Sequence, residues 1–513
     1  MDRRNFLKTG GLALLGSLAT GSAMALTTPG ALGGEGADKK TAIALAMNYF
    51  GVSESDLKKV LTAALEKGAD YADLFFEHTI TNSIHMMDGA VNNSHSNIDY
   101  GVGVRVQIGT QRGYAYVENF TLEDMLKAAR TAARIASADK GNKPLNLTEK
   151  ELKKNYYSIA STWEEVSLKD KMPYLQKLND RIFALDKRVH KVQVKQKDIT
   201  SHIFFCNSEG VMFYDYRPLV SLGAMCIMEE DGKTENDYAS RAYRRGFDFL
   251  SDEVVEVIAR EVVDRTSFLF KATKPKGGEM PVVVGGGESG ILLHEAVGHT
   301  LEADLILNDI SIFADQLNKK VCNEHINVVD DGTIPFNLGS VNFDDEGTEG
   351  QKTYLIKDGV LTSCMHDRMT AKIFGVKPTG NGRRESFRNR PIPRMCATYM
   401  EAGNVNESDI ISSVKKGIFV DSITNGEVEM GVGNFTFFVK SGYMIEDGQL
   451  TRPIKDVNII GNGPKALADI TMVANNTTVS NALMICGKYG QSCPVTCGMP
   501  SVLVGKLTVG GEN

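Results

Sequence analysis

Two histidines five residues apart, His294 and His299, follow a short apolar run and a glycine-rich turn, and that spacing constrains the backbone more than any other feature of the chain. Pro281-Val282-Val283-Val284 reads as a strand, Gly285-Gly286-Gly287-Glu288-Ser289-Gly290 as a sharp turn, and Ile291 onward as a helix. On an α-helix of 3.6 residues per turn, positions five apart lie about 140° round the axis, so the two imidazoles diverge. They converge only where the helix widens into a π-turn or is ending. Gly298, just before His299, eases such a distortion. Two imidazoles with Glu295 beside them supply two ligands and a base, the groups that metal-assisted hydrolysis uses. The competing reading is two unrelated histidines on one helix.

A metal site of this kind needs a third protein ligand. Glu302 and Asp304 are local candidates, each of which would also serve as an acceptor for a histidine N–H or as a solvated acid. Cys486 is a distant candidate, between the apolar run ending at Ile485 and the turn Gly487-Lys488-Tyr489-Gly490, where a buried inert cysteine is the usual occupant. The turn at 285–290 also spells G-x-G-x-x-G. No βαβ unit follows it, and Glu288 stands where phosphate charge would sit, so the glycines are read as permitting a tight turn and close helix–sheet packing.

With 513 residues, 42% of them hydrophobic, the chain has material for two or three domains. Its formal charge of −7 leaves no basic footprint for nucleic acid. Basic residues cluster at the N-terminus, in Arg3-Arg4-Asn5-Phe6-Leu7-Lys8, ahead of a modestly apolar stretch from Gly10 to Ala23 and an Ala23-Met24-Ala25 site. This pattern predicts a twin-arginine signal peptide over residues 1–25 and a protein exported to the periplasm or beyond. Cleavage removes Arg3, Arg4, Lys8 and Asp2, taking the charge to about −9 and leaving no permanent membrane span. Eight cysteines are too few for a disulfide scaffold but allow one or two bridges, Cys493 and Cys497 being the nearest pair.

The predicted class is α+β. Residues 26–45 read as a linker, 46–275 as an N-terminal α+β domain, and 280–513 as a β-rich C-terminal domain carrying the histidine helix. In the first domain a helix is expected at 56–67, capped by Ser53, and a second at 121–136. The alternation Val102, Val104, Val106, Ile108 predicts a strand with one buried face. Asp88-Gly89, Asp358-Gly359 and Asp447-Gly448 predict hairpins, the last two within one mostly antiparallel sheet.

Several longer motifs stand out: Leu292 to His299 with Leu301-Glu302-Ala303-Asp304, Val329-Asp330-Asp331-Gly332-Thr333, Asp344-Asp345-Glu346-Gly347-Thr348, Pro378 to Ser386, Cys486-Gly487-Lys488-x-Gly490-Gln491, Leu507 to Gly511, and Gly101-Val102-Gly103-Val104-Arg105. Together they resemble one family, the TldD/PmbA metallopeptidases. The resemblance implies zinc held by His294, His299 and Cys486, with Glu295 as general base. It also implies hydrolysis of peptides or unfolded polypeptides with low sequence specificity, the substrate bound as an added strand. The implied assembly is a homodimer or a heterodimer with a PmbA-like sister subunit. A catalytically silent, peptide-binding partner subunit is the alternative. His366, Arg383, Arg384 and Tyr489 are candidates to stabilise an oxyanion, with ion pairing the alternative for the arginines. The signal peptide departs from cytoplasmic members of the family.

Overall fold

Long runs of alternating aliphatic and aromatic residues make the first half of the chain a sheet, because such side chains suit a pleated surface with one covered face. The computed structural model describes residues 39–135, 143–429 and 431–511, so the predicted signal peptide and residues 26–38 of the expected linker lie outside the described residues. Residues 39–45 are not linker. They form the start of helix α1 (Lys39–Phe50), which buries Ile43, Ala46 and Phe50 at helical spacing. Among the described residues, no helix is long and apolar enough to cross a membrane.

Helix α2 (Glu54–Leu65) begins where Ser53 Oγ accepts from Asp56 N–H, at 3.2 Å, as its sequence indicated. Strands β1 (Tyr71–Met87), β2 (Ala90–Ile108), β3 (Gln111–Val117), β4 (Thr148–Glu149), β5 (Val189–Asn207), β6 (Val211–Glu230) and β7 (Lys233–Tyr243) build one sheet. Its order is β3-β2-β1-β5-β6, with β7 and the short β4 both on β6. Helices α3 (Leu122–Ala132), α4 (Leu168–Leu185) and α5 (Asp252–Leu269) complete this half. The even-numbered residues of β1, β5 and β6 face the helices. Leu74, Phe76, Phe204 and Met212 pack with α1, α2 and α3 at one end, while Ile84, Val194, Leu222 and Ala224 pack with α4 and α5 at the other.

The opposite face is covered as well, which corrects the expectation that β2 has one buried face. Phe75, Ile203, Phe205 and Phe213 pack against Phe343 and Phe387 from the second half of the chain. Arg105, pointing to that side of β2, is fully buried; its guanidinium donates to Asp73, through Nε at 2.8 Å, and to Glu346. Burial opposes its charge, and the two carboxylates more than restore it. Glu346 belongs to the acidic run 344–346, none of which is solvated. Asp344 caps its own turn by accepting from Glu346 N–H and Thr348 N–H, at 3.0 and 2.8 Å, and Asp345 pairs with Arg217.

In the second half, β8 (Gly278–Val284) runs parallel to Lys416–Glu429 and antiparallel to Val502–Gly510, in a six-stranded sheet that also holds Asn434–Glu446 and Gln449–Asn462. A second six-stranded sheet contains Val328–Asp331, Lys352–Lys357, Ala397–Met400 and Thr496–Met499. The Asp358-Gly359 and Asp447-Gly448 hairpins therefore lie in different sheets rather than one. The reason is the helical segment after β8. Leu292, Leu293, Ala296, Val297 and Leu301 are all buried, and they pack in one core with Val282 and Val284 of the first sheet and Val328, Met400 and Met499 of the second. A segment whose apolar residues point to more than one side needs cover on more than one side. All three predicted Asp-Gly turns have both residues at positive φ (50° and 79°, 49° and 73°, 47° and 77°), as two-residue hairpins require.

Replacing Arg105 by methionine strands two buried carboxylates. Denaturant unfolding is expected to show a loss of about 3–5 kcal/mol, whereas a loss under ~1 kcal/mol would mean the pairing does not hold the two halves together.

Candidate metal centre

The segment that leaves β8 is bent to fit before it carries any chemistry. A Cβ on Gly285 would meet the carbonyl oxygen of Val420 at 2.8 Å, and one on Gly290 would meet the Gly498 backbone at 2.7 Å. Glu288 reaches Arg265 at 3.1 Å. Ile291–Leu293 begins as α-helix, His294–Gly298 is a π-turn closed by the His299 N–H donating to the His294 carbonyl, and His299–Leu301 tightens to a 3₁₀ turn. This is the widening that five-residue spacing demanded. Gly298 has a second reason to be glycine, since a Cβ there would lie 2.3 Å from Met395 Sδ.

The widened turn brings His294 and His299 together and directs both at Cys486. Sγ of Cys486 lies 3.3 Å from His294 Nε2 and 3.1 Å from His299 Nε2, and the three donor atoms all fall within 4.8 Å of one another. All three side chains are buried. Zinc bonds of about 2.0–2.3 Å in tetrahedral geometry set donors roughly 3.3–3.6 Å apart, so the cluster fits a zinc-sized ion. Cys486 comes from the hairpin Ile485–Lys488 and Gln491–Pro494, whose tip, Tyr489-Gly490, has both residues at positive φ (50° and 74°). The eight cysteines are all free and buried, Cys493 and Cys497 included.

Charge around the cluster is set by a second ring of residues. Glu302, fully buried, accepts from His299 Nδ1 at 2.9 Å, which leaves Nε2 turned to the cluster. Lys488 Nζ lies 3.1 Å from Glu302 and 2.6 Å from Asp304, and Arg394 Nε is 3.7 Å from Glu302. Burial alone would raise Glu302; Lys488, His299 and Arg394 overcome it and hold the carboxyl near 2. Burial likewise pushes His299 down, but Glu302 and Cys486 reverse the direction and raise it to about 10 in the metal-free protein. His294, buried and facing His299, is held well below its ordinary value. Glu295 Oε2 stands 3.9 Å from His299 Nε2, with 28% of its side chain exposed, and burial keeps its carboxyl above the ordinary range.

Glu302 and Asp304, local candidates for the third ligand, thus stand behind the cluster and not in it. The oxyanion candidates are scattered. His366 contacts Thr370 and Phe374, Arg384 donates to the Asp345 carbonyl, and Tyr489 sits at the exposed hairpin tip. Arg383 donates to the carbonyls of Met395 and Pro494. Sequence reasoning assigned no role to Lys488 or Arg394. Lys488 had a signal, two residues after Cys486 on the same face of a strand. Arg394 had none, since only folding carries its guanidinium to the Cys486 and Gln491 carbonyls, at 2.6 and 3.0 Å.

A mixed α+β fold in which two histidines and a cysteine converge beside a partly exposed glutamate fits a metallopeptidase, and the chain belongs to the PmbA/TldA metallopeptidase family. Residues 72–136 match that family's domain 1, 161–267 its central domain and 277–511 its C-terminal domain. The Metalloprotease TldD homolog of Haemophilus influenzae is 35% identical over 472 residues, which cover 90% of this chain and 97% of that protein. The Zinc metalloprotease TldD homolog of Saccharolobus solfataricus is 29% identical over 457 residues, 88% of this chain and 99% of that one. Among solved structures, TldE from Thermococcus kodakarensis has the same fold, with a TM-score of 0.71 at 19% identity over 89% of this chain and 100% of that chain.

Metal titration is expected to show Glu302→Gln weakening zinc binding by about 10–100-fold, as loss of an outer partner of a ligand histidine does elsewhere. Cys486→Ser should weaken it further. Full zinc affinity in Cys486→Ser would remove that residue from the site.

Proposed function

We propose that this chain is a zinc-dependent peptidase that hydrolyses peptides or unfolded polypeptides with low sequence specificity. The observation that carries the reading is the convergence of His294, His299 and Cys486 on one point with the partly exposed Glu295 beside it. Zinc held by these three residues supplies Lewis acidity, for polarising a carbonyl and for making water acidic near neutral pH. Glu295 is the group that takes a proton and returns it to the leaving amine. Glu302, Lys488 and Arg394 orient His299 and hold the hairpin carrying Cys486.

Low specificity follows from how a strand would bind. The hairpin Ile485–Lys488 and Gln491–Pro494 forms a two-stranded sheet of its own, so it has edges beside the metal ligands. An extended peptide adding to such an edge is recognised by backbone hydrogen bonds that do not read side chains. By its family, the chain works as a dimer, either of two copies or with a PmbA-like sister chain. The paired arginines near the N-terminus support export in the folded state to the periplasm or beyond.

Glu295→Gln is expected to keep its zinc while peptide hydrolysis falls by about 10²–10⁴-fold. Chelation should abolish hydrolysis and added zinc restore it. Wild-type rates in both Glu295→Gln and His294→Ala would place the hydrolysis outside this site, and zinc binding without any hydrolysis by the wild type would leave the chain a silent peptide-binding subunit.

A further inference from the structure

A cleft of about 710 Å³ opens between the uncovered stretch of the N-terminal sheet and the second half of the chain. Thr79, Thr81 and Ser201 form its floor, and Ile485 and Pro494, flanking the metal-binding strand, lie in its wall. Ile485 and Pro494 are cross-strand partners, and Ile485 precedes the ligand Cys486, so the cleft reaches to within one residue of the metal cluster.

Six basic side chains and four acidic ones, Glu77, Asp99, Asp345 and Glu385, line the cleft, a net positive balance in a chain that is acidic overall. Most of its arginines are already answered. Arg217 pairs with Asp215 and Asp345, Arg388 pairs with Asp99 and Glu118, and Arg383 donates to two carbonyls. Arg244 differs. It lines the cleft and is only 5% exposed, yet among the described residues its guanidinium has no hydrogen bond and no ion pair, and its Nε is buried without a partner. Its contact is the Tyr157 ring, 5.1 Å away, and the carboxylate that attracts it, Asp215, is already paired with Arg217. Burial first, and then the charges of Arg383 and Arg217, press its pKa down to about 10. A buried guanidinium costs several kcal/mol unless an anion answers it, and its planar donors match a carboxylate in two-point geometry.

We propose that Arg244, flanked by Arg383 and Arg217, is a subsite of the cleft that binds a carboxylate of the peptide substrate. The inference rests on the peptidase reading and narrows it: the backbone is read without preference, while one negative group anchors the chain. That carboxylate belongs either to the peptide's C-terminus or to an aspartate or glutamate side chain.

Binding of tetra-alanine peptides to the zinc-loaded full chain, measured by calorimetry on Glu295→Gln so that cleavage is slow, tests this. Four probes are compared: the free acid, its amide, and the amide with one residue replaced by glutamate or by glutamine. The free acid, or the glutamate peptide, should bind about 10–100-fold more tightly than its neutral counterpart, the range expected for a charge-assisted pair. Which of the two gains identifies the source of the carboxylate. In Arg244→Gln the gain should vanish while affinity for the neutral amide is unchanged, and Arg244→Lys should recover part of it. Equal affinity for all four probes in the protein with Arg244 intact overturns the subsite whether or not the variants fold. Hydrolysis of the neutral amide by wild type is scored separately: its presence sustains the peptidase reading even if the subsite fails, and its absence sinks that reading without touching the binding comparison.

Discussion

Placing two imidazoles, a thiol and a carboxylate inside an apolar core is costly, and the second half of this chain is organised round meeting that cost. Each such group, left unanswered, would forfeit on the order of 1–3 kcal/mol, more if charged. Glu302 is the pivot. It fixes the His299 ring from one side and is neutralised by Lys488 and Arg394 from the other. Arg394 and Lys488 in turn tie down the hairpin that bears Cys486, so the ligand cluster and its charge balance form a single network.

That network explains why the helical segment lies between two sheets. Its ligand face must be dry and rigid, and its other faces are apolar, so one sheet cannot cover it. The π-turn follows from the same demand: His294 and His299 reach one point only if the helix takes up an extra residue there, and Gly298 lets Met395 close over the widened turn. Burial of Glu295 is incomplete by contrast, with about a quarter of its side chain left exposed.

A second charged network, Arg105 with Asp73 and Glu346, and Arg217 with Asp215 and Asp345, fastens the N-terminal sheet to the metal-bearing half. It closes one stretch of the sheet face and leaves the neighbouring stretch as the floor of the cleft. Arg244 stands at that boundary, where among the described residues no carboxylate forms an ion pair or hydrogen bond with it.

Much was legible from sequence because it depends on neighbours along the chain. The Ser53 cap, the Asp-Gly turns and the demand for a distorted helix at Gly298 follow from local geometry, where a few consecutive residues carry the whole constraint. The thiol nearest the two histidines was not legible in this way, since Glu302, Asp304 and Cys486 satisfied the local rules equally and only the resemblance separated them. Folding decided the rest. It set Glu302 behind His299 and carried Arg394 to the hairpin. It also buried Arg105, on what the alternation along β2 had marked as the open face, and divided the two late hairpins between sheets. These outcomes join residues far apart in the chain, where nothing in the spacing of one segment records which face of another will cover it.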